Sequence, residues 1–120
     1  MRAASAPFWQ PVADEAALQQ VLQQPLALVL WGGAHCGVCQ AIKPRLAQQV
    51  AAHFPQLPLY SVDCAQAPSA CAQHGVFSLP VLRLMVDGRV ALDYARVFGL
   101  QQVLSDMQHV LQQWADAQPR

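Results

Sequence analysis

The sequence predicts an α/β fold, and three observations carry that expectation. Residues 26–31 (Leu-Ala-Leu-Val-Leu-Trp) form a short, continuously apolar run, the pattern of a strand buried on both faces of a sheet. Strand-like runs and helical periodicities then alternate along the chain. Finally, Asp87-Gly88 stands between two apolar runs and is a strong two-residue hairpin signal. The chain of 120 residues is long enough for one buried core, so it is expected to be one domain over 1–120, with residues 1–7 as a loose arm.

Taken in order, residues 8–12 read as a short edge strand interrupted by Pro11. Asp14 offers a helix N-cap, and Ala17, Leu18, Val21 and Leu22 recur at helical spacing until Pro25. The buried strand follows and ends at Gly32-Gly33. From about Cys36 the pattern turns helical, with Ile42, Leu46, Val50 and Phe54 on one side and Pro44 inside, where it removes a backbone donor. Residues 57–62 form the next strand, ending at Asp63. Residues 67–74 read as a short helix with Pro68 in its first turn and Gly75 after it. Strands over 81–86 and 89–94 flank the hairpin. Leu100, Val103, Leu104, Met107, Val110, Leu111 and Trp114 then trace one face of a terminal helix. The expected order is β-α-β-α-β-α-β-β-α.

Composition narrows the function. Seven Lys and Arg balance seven Asp and Glu, Lys43 is the only lysine, and the arginines are scattered. Nothing here resembles the basic footprint of a nucleic-acid or anionic-membrane binder. No apolar run approaches the roughly 18 residues needed to span a bilayer. Residues 1–7 carry one arginine and no apolar core, so they do not read as a secretory signal, and the chain is expected to be cytoplasmic.

Four cysteines stand at 36, 39, 64 and 71. In a reducing compartment, a Cys-x-x-Cys between a strand and a helix points to redox chemistry rather than to structural staples. At a helix start the Cys36 sulfur meets free N–H groups and the positive end of the helix dipole, which favour the thiolate. A free cysteine with a pKa of about 8.5 is only a few per cent ionised at pH 7, so this help matters. His35, if protonated, adds to it. Inert buried thiols and half of a zinc site are the plain alternatives. The chain offers no second Cys-x-x-Cys or His-x-His to complete a zinc site, and no metal is expected.

Cys64 and Cys71 read differently. On one continuous helix, seven residues separate them by about 10.5 Å, beyond the roughly 7 Å that a disulfide spans. A bridge between them would need the intervening loop to bend or the helix to unwind, so they are expected to be buried or half-buried small apolar side chains, with a regulatory thiol as the second reading. His53 and His109 read as surface residues, and Trp9, Trp31 and Trp114 as packing.

The element order, with Cys36-Gly37-Val38-Cys39 after the second strand, resembles the thioredoxin family. Pro44 stands where that family has its helix-kinking proline, residues 75–81 resemble the approach to its cis-proline at Pro80, and Gly99 resembles its glycine before the last helix. The resemblance covers roughly residues 8–115 and implies a thioredoxin fold, a central mixed β-sheet flanked by helices. It further implies a protein-disulfide oxidoreductase in which Cys36 is the nucleophile and Cys39 resolves the mixed disulfide. No bound cofactor is implied, only a reversible Cys36–Cys39 disulfide. His35, Gly37, Val38 and Lys43 would tune the pair, and Leu79, cis Pro80 and Gly99 would border the substrate groove. The implied partners are protein disulfides and an upstream donor such as a thioredoxin reductase, in cell redox homeostasis and electron transport. Three positions depart from the family pattern. Val38 replaces the central proline, His35 replaces a tryptophan, and Leu30 replaces a buried aspartate often assigned as proton acceptor for the second cysteine. Water, the departing Cys36 thiolate and His35 are the candidates left for that proton. The departures also leave open a thioredoxin-fold binding module or assembly chaperone, or a redox sensor using Cys64 or Cys71.

Overall fold

The computed structural model describes residues 9–119, so the expected arm over 1–7 and Phe8 of the expected first strand lie outside the described residues. The elements are β1 (Gln10–Val12), α1 (Glu15–Leu22), β2 (Leu26–Gly32), α2 (Gly37–His53), β3 (Leu59–Asp63), α3 (Pro68–Gln73), β4 (Val81–Val86), β5 (Arg89–Ala95) and α4 (Leu100–Ala117). Their sequence is the expected one. The Asp14 side chain caps α1 by accepting from the Ala17 N–H at 2.9 Å. Pro11 is tolerated because β1 is an edge strand, paired only with β3.

The sheet order is β1-β3-β2-β4-β5. Strands β1, β3 and β2 run parallel, and β4 and β5 are antiparallel additions beside β2. Because side chains alternate along a strand, β2 divides its apolar run between two cores. Ala27, Val29 and Trp31 pack with Leu18, Val21, Ala70 and Cys71 of α1 and α3. Leu28 and Leu30 pack on the other face with Leu46, Val50, Val103 and Met107 of α2 and α4. Fully burying each such aliphatic side chain contributes roughly 1.5–3 kcal/mol, which explains why this strand carries no polar residue.

The hairpin has the geometry its residues dictate. Asp87 and Gly88 have φ of 53° and 78°, the left-handed pair of a type I′ turn. A β-carbon on Gly88 would also come within 2.9 Å of the Leu22 carbonyl oxygen.

Strand β5 is tied to α4 by the Tyr94 hydroxyl, which donates to Asp106 at 2.5 Å. Burial, then the bond to Asp106, push the Tyr94 phenol well above its usual range. The Tyr94 hydroxyl and the Gln102 amide hold the Asp106 carboxyl below its usual value. A carboxyl depressed on folding stabilises the protein above its unfolded pKa, and the contribution is lost as pH falls through the folded value. Tyr94→Phe is therefore expected to move the Asp106 titration upward and to weaken this acid-side dependence. An NMR pH titration showing Asp106 unmoved in the variant would contradict it.

The expectation for the second cysteine pair is overturned. Cys64 and Cys71 are disulfide-bonded, with Cα atoms 5.7 Å apart, and no free cysteine occurs among the described residues. The physical reason is that the two do not share a helix. Helix α3 starts only at Pro68, and residues 63–67 form a turn in which Gln66 and Ala67 N–H groups donate to the Asp63 carbonyl. The turn carries Cys64 back over α3, to within bonding reach of Cys71.

Candidate functional site

The site begins where β2 stops. After Gly32 the chain turns through Gly33, Ala34 and His35, closed by the Cys36 N–H donating to the Gly33 carbonyl at 3.1 Å. The Gln40 side-chain amide donates to the same carbonyl at 3.3 Å. Cys36 is the N-cap of α2, and its sulfur accepts from the Cys39 N–H at 3.2 Å. This places the sulfur at the helix N-terminus, where negative charge is stabilised. Cys36 and Cys39 are disulfide-bonded, with Cα atoms 5.2 Å apart. Their exposures differ: Cys36 is half-buried, whereas Cys39 is 2% exposed.

Gly32 makes room for the inner sulfur. A β-carbon there would lie 2.9 Å from Cys39 Sγ and 3.0 Å from its Cβ, closer than side chains pack. Beside Cys39 a cavity of about 140 Å³ opens at the C-terminal ends of β2 and β3. Its walls include Leu30, Lys43, Ser61 and Asp63. One Asp63 oxygen, Oδ1, accepts from the Ala65 N–H at 2.9 Å. Ser61 and Asp63 were missed in the sequence. The signal was present, because alternation along β3 places both on the face opposite Tyr60 and Val62.

The other wall is the turn before β4. The Leu79–Pro80 peptide is cis, Pro80 is buried and Leu79 half-buried. Leu79 Cδ1 would lie 3.6 Å from a β-carbon on Gly33, so the proline turn abuts the cysteine turn. The Pro80 carbonyl accepts from the Arg96 N–H at 2.7 Å. Gly99, the residue expected at this groove, is the N-cap of α4, with φ −90° and open space around a β-carbon. Nothing in that geometry requires a glycine there.

The remaining site residues are spread around the dithiol. His35 and Gly37 are exposed, Val38 is 56% exposed, and Lys43 is half-buried along the cavity. Trp31 lies on the opposite face of the sheet. Its ring packs 5.6 Å from that of His74, with the Arg83 guanidinium 5.5 Å from its centroid. His74 in turn pairs with Glu15. The Gln19 amide draws the Glu15 carboxyl below its usual value, partly offset by burial, with His74 adding a lesser lowering effect. His53 and His109 are exposed. Among the described residues no three His, Cys, Asp or Glu side chains gather in a metal-binding group.

Comparison with known proteins bears on the same arrangement. A thioredoxin from Alicyclobacillus acidocaldarius is 27% identical over 100 residues, covering 82% of this chain and 94% of the relative. The chloroplastic thioredoxin-like 3-2 of Arabidopsis thaliana is 29% identical over 85 residues, covering 66% of this chain but only 44% of that longer protein. Among solved structures, thioredoxin from Trypanosoma brucei brucei superposes with a TM-score of 0.75 at 17% identity, covering 93% of this chain and 99% of the other. Fasciola hepatica thioredoxin gives 0.71 at 21% identity, with 83% and 98% covered. At such identities the structures speak for the fold alone. The family model for thioredoxin matches residues 9–109, from the approach to β1 into α4. With the cysteine pair, the cis-proline turn and the sheet order all inside that span, the chain belongs to the thioredoxin family.

Proposed function

We propose that the protein reduces disulfides of other proteins by dithiol exchange at Cys36 and Cys39. The family and the bonded cysteine pair support a thiol–disulfide oxidoreductase. The observation that carries the finer reading is the asymmetry of the pair: an accessible sulfur capping α2 beside one sealed behind it.

In the reduced protein the Cys36 thiolate attacks one sulfur of the substrate disulfide, and the other leaves as a thiolate. Cys39 then loses its proton and attacks Cys36 Sγ. The Cys36–Cys39 bond forms, the mixed disulfide breaks, and the second substrate thiolate departs. Two electrons pass from the dithiol to the substrate, and an upstream donor such as a thioredoxin reductase restores them. With Leu30 unable to take a proton, the cavity wall offers the Asp63 carboxylate as acceptor and the Lys43 ammonium as a charge favouring the Cys39 thiolate. Leu79 and Pro80 are suited to hold an extended substrate segment beside Cys36, as an added strand. His35, Gly37 and Val38 shape the helix start, and the cytoplasm, where thiols stay reduced, suits this direction.

The test is reduction of a disulfide-linked protein with dithiothreitol as electron donor. Wild-type protein is expected to accelerate the reaction, and Cys36→Ser to return it to the uncatalysed rate. An inactive wild type with every donor tried would replace this reading with that of a binding module.

A further inference from the structure

Arg96 is the backbone outlier of the site. Its φ is 68°, in the left-handed region that a β-carbon disfavours. The Val97 N–H donates to the Ala95 carbonyl at 2.8 Å, closing a γ-turn around Arg96. With positive φ at its centre this is the rare, strained form of that turn. The Arg96 N–H is fixed by its bond to the Pro80 carbonyl. Glycine would adopt this conformation freely, yet the position holds an arginine. Asp87, the other non-glycine residue with positive φ among the described residues, is explained by its hairpin. Arg96 has no such explanation, and strained residues of this kind cluster at ligand clamps.

Its place makes the strain meaningful. Pro80 follows Leu79, Leu79 abuts Gly33, and the Gly33 carbonyl holds the Cys36 N–H. Arg96 is thus linked to the nucleophile through a short series of contacts. It is exposed, and the ion pairs among the described residues, His74–Glu15 and Arg83–Asp93, do not use it. His35 beside Cys36 is also exposed, whereas the carboxylate of the site, Asp63, lines the cavity on the α2 side. The neighbouring Val97 is 90% exposed, as Phe77 is to 80% on the approach to Pro80.

We propose that Arg96 determines specificity, favouring disulfide substrates that carry a carboxylate side chain beside the attacked cysteine within an otherwise apolar segment. This rests on the dithiol-exchange reading above. The reaction is unchanged; the guanidinium pairs with the carboxylate while the mixed disulfide forms.

The test compares kcat/KM for two cystine-linked peptides, identical except for Glu or Lys next to the cystine. Wild-type protein is expected to favour the Glu peptide about three- to tenfold at low salt, less at 0.5 M salt. Arg96→Lys should keep the preference, Arg96→Gly should bring it to about one, and Arg96→Glu should invert it. Arg96→Gly suits the observed backbone, so its result does not depend on tolerance of a new side chain. Equal rates on the two peptides in wild type, or an unchanged ratio in Arg96→Glu, would overturn the proposal. Absence of turnover on both peptides would instead overturn the dithiol-exchange reading.

Discussion

Cys39→Ser is expected to stop turnover after its first half and to leave the substrate covalently attached at Cys36. The accessible sulfur keeps what activates it, because the bond it accepts comes from the backbone N–H of residue 39, which serine retains. Attack on the substrate disulfide therefore proceeds. The mixed disulfide then lacks its resolving sulfur, which in the native protein sits one helical turn away and is almost wholly buried. Catalytic turnover should fall by roughly three orders of magnitude or more, the scale of losing one member of a covalent catalytic set. Intact-mass measurement should find one substrate adduct per chain, released by dithiothreitol. Turnover near wild type, or no adduct, would contradict the assigned division of labour.

Leu30→Asp is expected to destabilise the fold by about 3–5 kcal/mol near neutral pH, the combined cost of a lost core leucine and a poorly solvated carboxyl. Leu30 is 1% exposed and packs in the cluster containing Leu46, Leu82 and Val103. The cavity beside it brings the polar residues Gln40, Lys43, Ser61 and Asp63 near. Desolvation should raise the folded pKa of the new carboxyl above its unfolded value of about 3.9. The sign follows: the neutral acid is tolerated best, so the deficit should be smallest below pH 4 and grow as pH rises through the folded pKa. Urea unfolding of both proteins at pH 4 and pH 8 measures this. A deficit below about 1 kcal/mol at pH 8, or one equal at the two pH values, would contradict the account.

Much of this molecule was legible in the sequence where local chemistry dictated structure. The unbroken apolar run of β2 required two covered faces, Asp14 required a helix behind it, and Asp87-Gly88 had one suitable turn. The parts that were not legible depended on where an element begins or on a residue acting against its preference. Cys64 and Cys71 are too distant for a bond on a single helix, and only the turn at Asp63, which has no strong sequence signal, brings Cys64 back to Cys71. The residue holding the Pro80 carbonyl in a left-handed conformation is an arginine, which no propensity would select. Asp63 required β3 to be read with its alternation, face by face.

That alternation also works as insulation. Cys39 lies with Leu30 and Asp63 on the α2 side of the sheet, while Cys64 and Cys71 pack with Trp31 and Val29 on the α1 and α3 side. The strands between them form a wall that a sulfur atom cannot cross without opening the sheet. The folded chain therefore holds two disulfides, one on each face of a single sheet.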